Sequence, residues 1–124
     1  MSASQARAYL TKANEYLDAA VSELEAGRAI AATSLVINAA INSADAVTGA
    51  RLGRRASSQA HEQVLPMLGE AGRDGTEVAK ELARLLPLKT KAEYEADAIA
   101  MSDAKRAVER ASRCVVVARR VIQD

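Results

Sequence analysis

The chain has 124 residues, enough for one domain (1–124) and too few for two. Hydrophobic residues make up 49%, yet Phe and Trp are absent and Tyr9, Tyr16 and Tyr94 are the only aromatics; such an Ala-, Leu- and Val-rich core favours closely approaching helices and argues against sheets. A net charge of +1 excludes a globally basic nucleic-acid binder, and one cysteine, Cys114, excludes an internal disulfide and points to a reducing compartment.

The N-terminal stretch MSASQARAYL lacks the apolar run of a signal peptide, and no segment approaches 18 uninterrupted apolar residues, so a cytoplasmic protein without a membrane span is expected. The first predicted helix runs from Ser4 to Ala26. Leu10, Ala13, Leu17, Ala20, Val21 and Leu24 recur at helical spacing, and Gly27 is the natural stop. Its outer face is acidic, with Glu15, Asp18, Glu23 and Glu25.

The second helix, Arg28 to Ala50, is apolar nearly all round, which predicts burial inside a bundle or at a subunit contact. A polar stripe of Ser34, Asn38, Asn42 and Asp45 interrupts it at steps that share one face. A basic connection, GARLGRRAS, follows. Ser57 or Ser58 then caps a short helix, SSQAHEQVLPML, which Pro66 weakens or ends early. Residues 69 to 75, GEAGRDG, carry three glycines and read as a mobile turn.

The third long helix begins near Thr76, with Val78, Leu82, Leu85 and Leu86 inward. Pro87 predicts a kink or break before Leu88, with helix resuming to Ala96. The last helix begins at Ser102 and keeps Ala104, Ala107, Val108, Ala111, Cys114, Val115, Ala118 and Ile122 on one face. The expected fold is therefore all-α: an antiparallel up-down bundle of four main helices plus a short helix in the second connection.

The chemistry is bounded by what is missing. His61 and Cys114 are single, so no zinc set of Cys and His can form, and no cofactor is expected. Neither GxxxxGK[ST] nor GxGxxG occurs. Three polar features remain. Arg51, Arg54 and Arg55 precede His61, a base and guanidinium combination that suits RNA cleavage; the preferred, plainer reading is a solvated basic loop. In the last helix Arg106, Arg110, Arg113 and Arg120 share a face that could follow a phosphate backbone or an acidic protein; the preferred reading pairs it with the acidic first helix. The polar stripe, with Lys89, Lys91 and Tyr94 near it, forms a structural network, fixes a dimer register or lines a pocket.

The first helix ARAYLTKANEYLDAAVSEL, the Ala-rich second helix ending NAAINSADAVTGARLG, the SSQAH run and the later LARLLPLKTKAEYEAD together resemble the HEPN domain family. That resemblance covers nearly the whole chain and implies a helical bundle that pairs as a homodimer. Many such proteins cleave RNA as toxins, often beside a nucleotidyltransferase partner; others are binding or scaffold versions. Catalytic members carry Arg, a polar residue and a His within a few positions. Here RASSQAH, Arg55 to His61, fits the spacing but has Ala after the arginine and lies in the second connection. The resemblance thus implies a non-catalytic, dimeric binding module acting with RNA, a nucleotide or a protein. A metal-independent endoribonuclease using Arg55 and His61 is one alternative, and a structural interaction module is the other.

Overall fold

A computed structural model describes residues 1–56 and 63–123. Five helices and no strand occur among them: α1 Ala3–Glu25, α2 Ala29–Leu52, α3 Val64–Glu70, α4 Gly72–Glu93 and α5 Met101–Gln123. The expected all-α class is therefore correct.

The ends of α1 are set by local hydrogen bonding. Ser2 and Gln5 form a capping box: the Gln5 backbone N–H donates to Ser2 Oγ at 3.1 Å, and the Ser2 N–H donates to Gln5 Oε1 at 2.8 Å. At the other end Gly27 takes a φ of +80°, which lets Gly27 N–H reach the Leu24 carbonyl and Arg28 N–H reach the Glu23 carbonyl. The chain reverses within three residues and delivers α2 alongside α1.

The central element is α2, which touches each of the other four helices. Most of its apolar circumference is consumed inside the chain: Ala32, Val36, Ile37, Ala39, Ala40, Ala44, Ala46 and Val47 are all buried, while Ile30 in its first turn is exposed. Small side chains there let the neighbouring helices come close. By length and composition α2 is the one described helix that could cross a membrane, with a mean hydropathy of 1.3, but 61% of that stretch is buried within the protein. One core cluster draws on all five helices, including Leu17, Ile37, Leu68, Leu82 and Val115.

Three expectations for the middle of the chain need correction. Residues 69–75 are not a mobile turn: Gly69 and Glu70 end α3, and α4 already begins at Gly72 rather than near Thr76. Gly75 is buried where α4 crosses the end of α3, so it serves as a contact point. Nor does Pro87 interrupt the helix. It lies inside α4, which continues to Glu93 and stops short of the expected Ala96. Pro87 cannot donate to the Ala83 carbonyl, but both residues lie on the exposed side of the helix, so the orphaned acceptor is open to water. Pro66 falls in the first turn of α3, where a missing N–H costs little, so it neither weakens nor ends that helix. Ser57, Ser58 and His61 lie outside the described residues.

Candidate functional site

Each of the three arginines in the basic connection meets a different carboxylate, and Arg54 and Arg55 also share a cleft. Arg51, at the end of α2, places Nη2 3.1 Å from Asp74 Oδ2 in the first turn of α4. Arg54 reaches Glu70 Oε2 at 3.2 Å, and both side chains are more than half exposed, so that bridge is weak. Arg55 folds back onto α2: its Nη1 is 3.5 Å from Asp45 Oδ2, and its guanidinium lies 4.9 Å from the centre of the Tyr9 ring. Gly53, with a φ of +71°, makes that return within two residues.

Asp45 is the polar residue with the largest consequence. It is 6% exposed. Burial pushes its carboxyl up to about 6, against the opposing pull of the Arg55 charge and hydrogen bond. A carboxylate, a guanidinium and an aromatic ring are thereby stacked from the core outward.

Tyr9 and Arg55 also line a cleft of about 530 Å³, together with Met1, Gln5, Ala8, Lys12 and Arg54. Three cationic side chains, Lys12, Arg54 and Arg55, thus converge with no acidic side chain among the described lining residues. Lys12 makes no ion pair among the described residues. Arg54 and Arg55 were singled out in the sequence; Tyr9 and Lys12 were not. The available signal was their i, i+3 spacing on the outer face of α1. It became legible only once α1 was laid against the end of α2, where the Met1 ammonium donates to the Gly53 carbonyl at 2.6 Å.

The α5 arginines have other work. Arg113 Nε donates to Glu81 Oε2 at 3.0 Å, and Arg110 Nη1 lies 3.6 Å from Glu81 Oε1. Arg120 Nη2 contacts Asp74 Oδ1 at 2.6 Å and Glu77 Oε2 at 3.1 Å. Arg106 pairs with Asp103 of its own first turn. The expected pairing with the acidic first helix is therefore wrong in its partner: the acids come from α4. Asp74, Glu77 and Glu81 share one face of that helix, a periodicity present in the sequence but not singled out. From α5 to α1, Arg119 Nε donates to Asn14 Oδ1 at 3.0 Å. Neutralised by α4, Arg110, Arg113 and Arg120 are not a free track for a phosphate backbone.

Glu81 is 8% exposed and, with Arg113, borders a smaller cavity of about 250 Å³. Two arginines compensate the buried charge, which makes this a clamp between α4 and α5. Asp74, held chiefly by its hydrogen bond to Arg120, titrates below the ordinary carboxylate range. Behind Glu81, Cys114 is fully buried, and burial followed by the Glu81 charge pushes its thiol up to about 12. Cys114 should therefore resist alkylation in the folded protein and react with iodoacetamide only in denaturant; mass spectrometry of the labelled chain would check this.

The polar stripe on α2 is not one network. Asn38 Nδ2 donates to the Ser34 carbonyl at 3.2 Å and Asn42 Nδ2 to the Asn38 carbonyl at 2.8 Å, so both amides are served by their own helix. Asp45 belongs with Arg55 instead. The link to the end of α4 is Ser34 Oγ donating to Glu93 Oε1 at 3.2 Å. Lys89 and Lys91 are half-buried, and Tyr94 is 73% exposed just past α4. Among the described residues no three His, Cys, Asp or Glu side chains gather as a metal site.

No protein-family model matches the chain, and no curated protein matches it significantly.

Proposed function

We propose that this chain is a single-domain, HEPN-like helical bundle that acts in the cytoplasm as a non-catalytic module binding phosphate-bearing ligands, RNA or nucleotide. The observation that carries the binding reading is the cleft of Lys12, Arg54 and Arg55, with no acidic side chain among its described lining residues. Guanidinium and ammonium groups converging on one concave site are the usual receptors for phosphate oxygens. Arg55 is held on both sides, by Asp45 and by Tyr9, so it is presented in a fixed position.

An up-down order of the four long helices is part of this reading, and contacts at both ends support it. Arg51 near the end of α2 meets Asp74 at the start of α4, whereas Ser34 near the start of α2 meets Glu93 at the end of α4. Along α5, Arg113 meets Glu81 and Arg120 meets the earlier Asp74, so those two helices also run in opposite senses. The homodimer rests on the HEPN resemblance, because most of the apolar surface of α2 is used within the chain. A nucleotidyltransferase partner rests on the same resemblance. The single buried thiol of Cys114 is consistent with a reducing compartment.

The test is RNA cleavage by wild type, His61→Ala and Arg55→Ala, with and without divalent cations, alongside filter binding and light scattering. The expected result is RNA retention without cleavage, by a dimer at tens of micromolar on the scale of ordinary dimer affinities. Metal-independent cleavage by wild type that both substitutions abolish would replace this reading with an endoribonuclease.

A further inference from the structure

Resting on that phosphate-binding reading, we infer that the cleft receives a terminal phosphate monoester carried on a nucleoside, either a free mononucleotide or the 5′ end of an RNA, rather than the interior of an RNA strand.

The first ground is shape. The three cations line one cleft of about 530 Å³, within the size range of a small-ligand site. A strand bound along its length needs cations spaced over several phosphates. The α5 stripe has that spacing, but Arg110, Arg113 and Arg120 are committed to Glu81, Asp74 and Glu77. Lys12, Arg54 and Arg55, by contrast, are gathered in one cleft.

The second ground is charge. A phosphate monoester carries close to two negative charges at neutral pH, with a second pKa of about 6, whereas an internal diester carries one. The cleft can meet the larger charge. Lys12 has no carboxylate partner among the described residues. Among the described residues Arg54 is engaged only in the solvent-exposed bridge to Glu70, which a dianion can displace at little cost. Arg55 keeps Asp45 behind it and offers its remaining N–H groups forward. Around these cations the wall is supplied by Ala8, Tyr9, Gln5 and Met1, a mixed apolar and amide surface that suits a nucleoside body.

The experiment is titration calorimetry on the intact protein with AMP, adenosine, and one short RNA oligomer bearing either a 5′-phosphate or a 5′-hydroxyl. AMP and the 5′-phosphorylated oligomer should bind at least about tenfold more tightly than adenosine and the 5′-hydroxyl oligomer, as charge-assisted pairing of a dianion requires. Lys12→Glu, an exposed change on α1, should weaken AMP by a similar factor while leaving the circular dichroism melt unchanged; Arg54→Ser should do the same. AMP bound without the oligomer identifies a free nucleotide as the ligand, and preference for the phosphorylated oligomer identifies an RNA end. Equal binding of the two oligomers with no AMP binding would overturn the inference while leaving RNA binding intact. No binding by any of the four would overturn both.

Discussion

Replacing Gly75 with alanine should destabilise the protein by about 3 kcal/mol, a melting shift of about 10 °C, although one methyl group is all that is added. A Cβ at that position would fall 2.0 Å from the Leu68 carbonyl oxygen and 2.8 Å from the Ala71 Cβ. Neither can move easily: the Leu68 carbonyl already accepts from the Ala71 N–H at 3.0 Å, and Leu68 itself is fully buried. The new methyl therefore pries α4 away from α3. Alanine is otherwise the better helix former, so propensity alone would predict the opposite sign. Gly69→Ala supplies the control. It lies in α3 with nothing within 4 Å of an added Cβ, and should be stabilising by about 0.5 kcal/mol. Thermal melts of both variants decide the matter. If Gly75→Ala melted with or above the wild type, the junction of α3 and α4 would be looser than these distances require.

Gly75 also illustrates where sequence reading runs out. Three glycines at 69, 72 and 75 look like a turn because glycine signals backbone freedom, yet at Gly75 the absent side chain makes room for another helix. A one-dimensional pattern cannot separate those two uses. The long amphipathic helices were legible because their period repeats over many residues, and Gly27 marked the stop of α1. Pro87 misled because a proline's cost depends on whether the abandoned carbonyl can reach water, a property of the exposed face of α4. In the candidate site Arg54 and Arg55 were visible as a basic run, but the pairing of Arg55 with Asp45 was not. It depends on the turn at Gly53, which sends Arg55 back across α2 to Asp45, ten positions earlier. Tyr9 and Lys12 join the site only through the pairing of α1 with α2. The acids opposite the α5 arginines were similarly ambiguous, since α1 and α4 both carry carboxylates at helical spacing and packing register chose between them.

Between pH 4 and pH 6 the wild-type protein should lose stability as the pH rises, by about 2–3 kcal/mol, and Asp45→Asn should lose none of it. The sign follows from where Asp45 titrates. In the unfolded chain its carboxyl releases its proton near 3.8; in the fold, burial raises that point to about 6. Over the interval the native state holds a proton that the unfolded state has released, so raising the pH favours unfolding. Above about pH 6 both states are ionised and the slope ends. Arg55 offsets part of the desolvation cost and not all of it, which is why the shift remains upward despite an ion pair. Asp74 contributes in a separate window: its lowered titration adds stability that disappears only as the pH falls below the ordinary carboxylate value. An asparagine in place of Asp45 resembles the protonated acid at every pH. The two proteins should therefore have similar urea midpoints near pH 4 and separate toward pH 6, with the variant the more stable at pH 7. Midpoints measured by circular dichroism across that range provide the check. Parallel curves would mean that Asp45 is ionised throughout, and so that the Arg55 guanidinium compensates the buried charge in full.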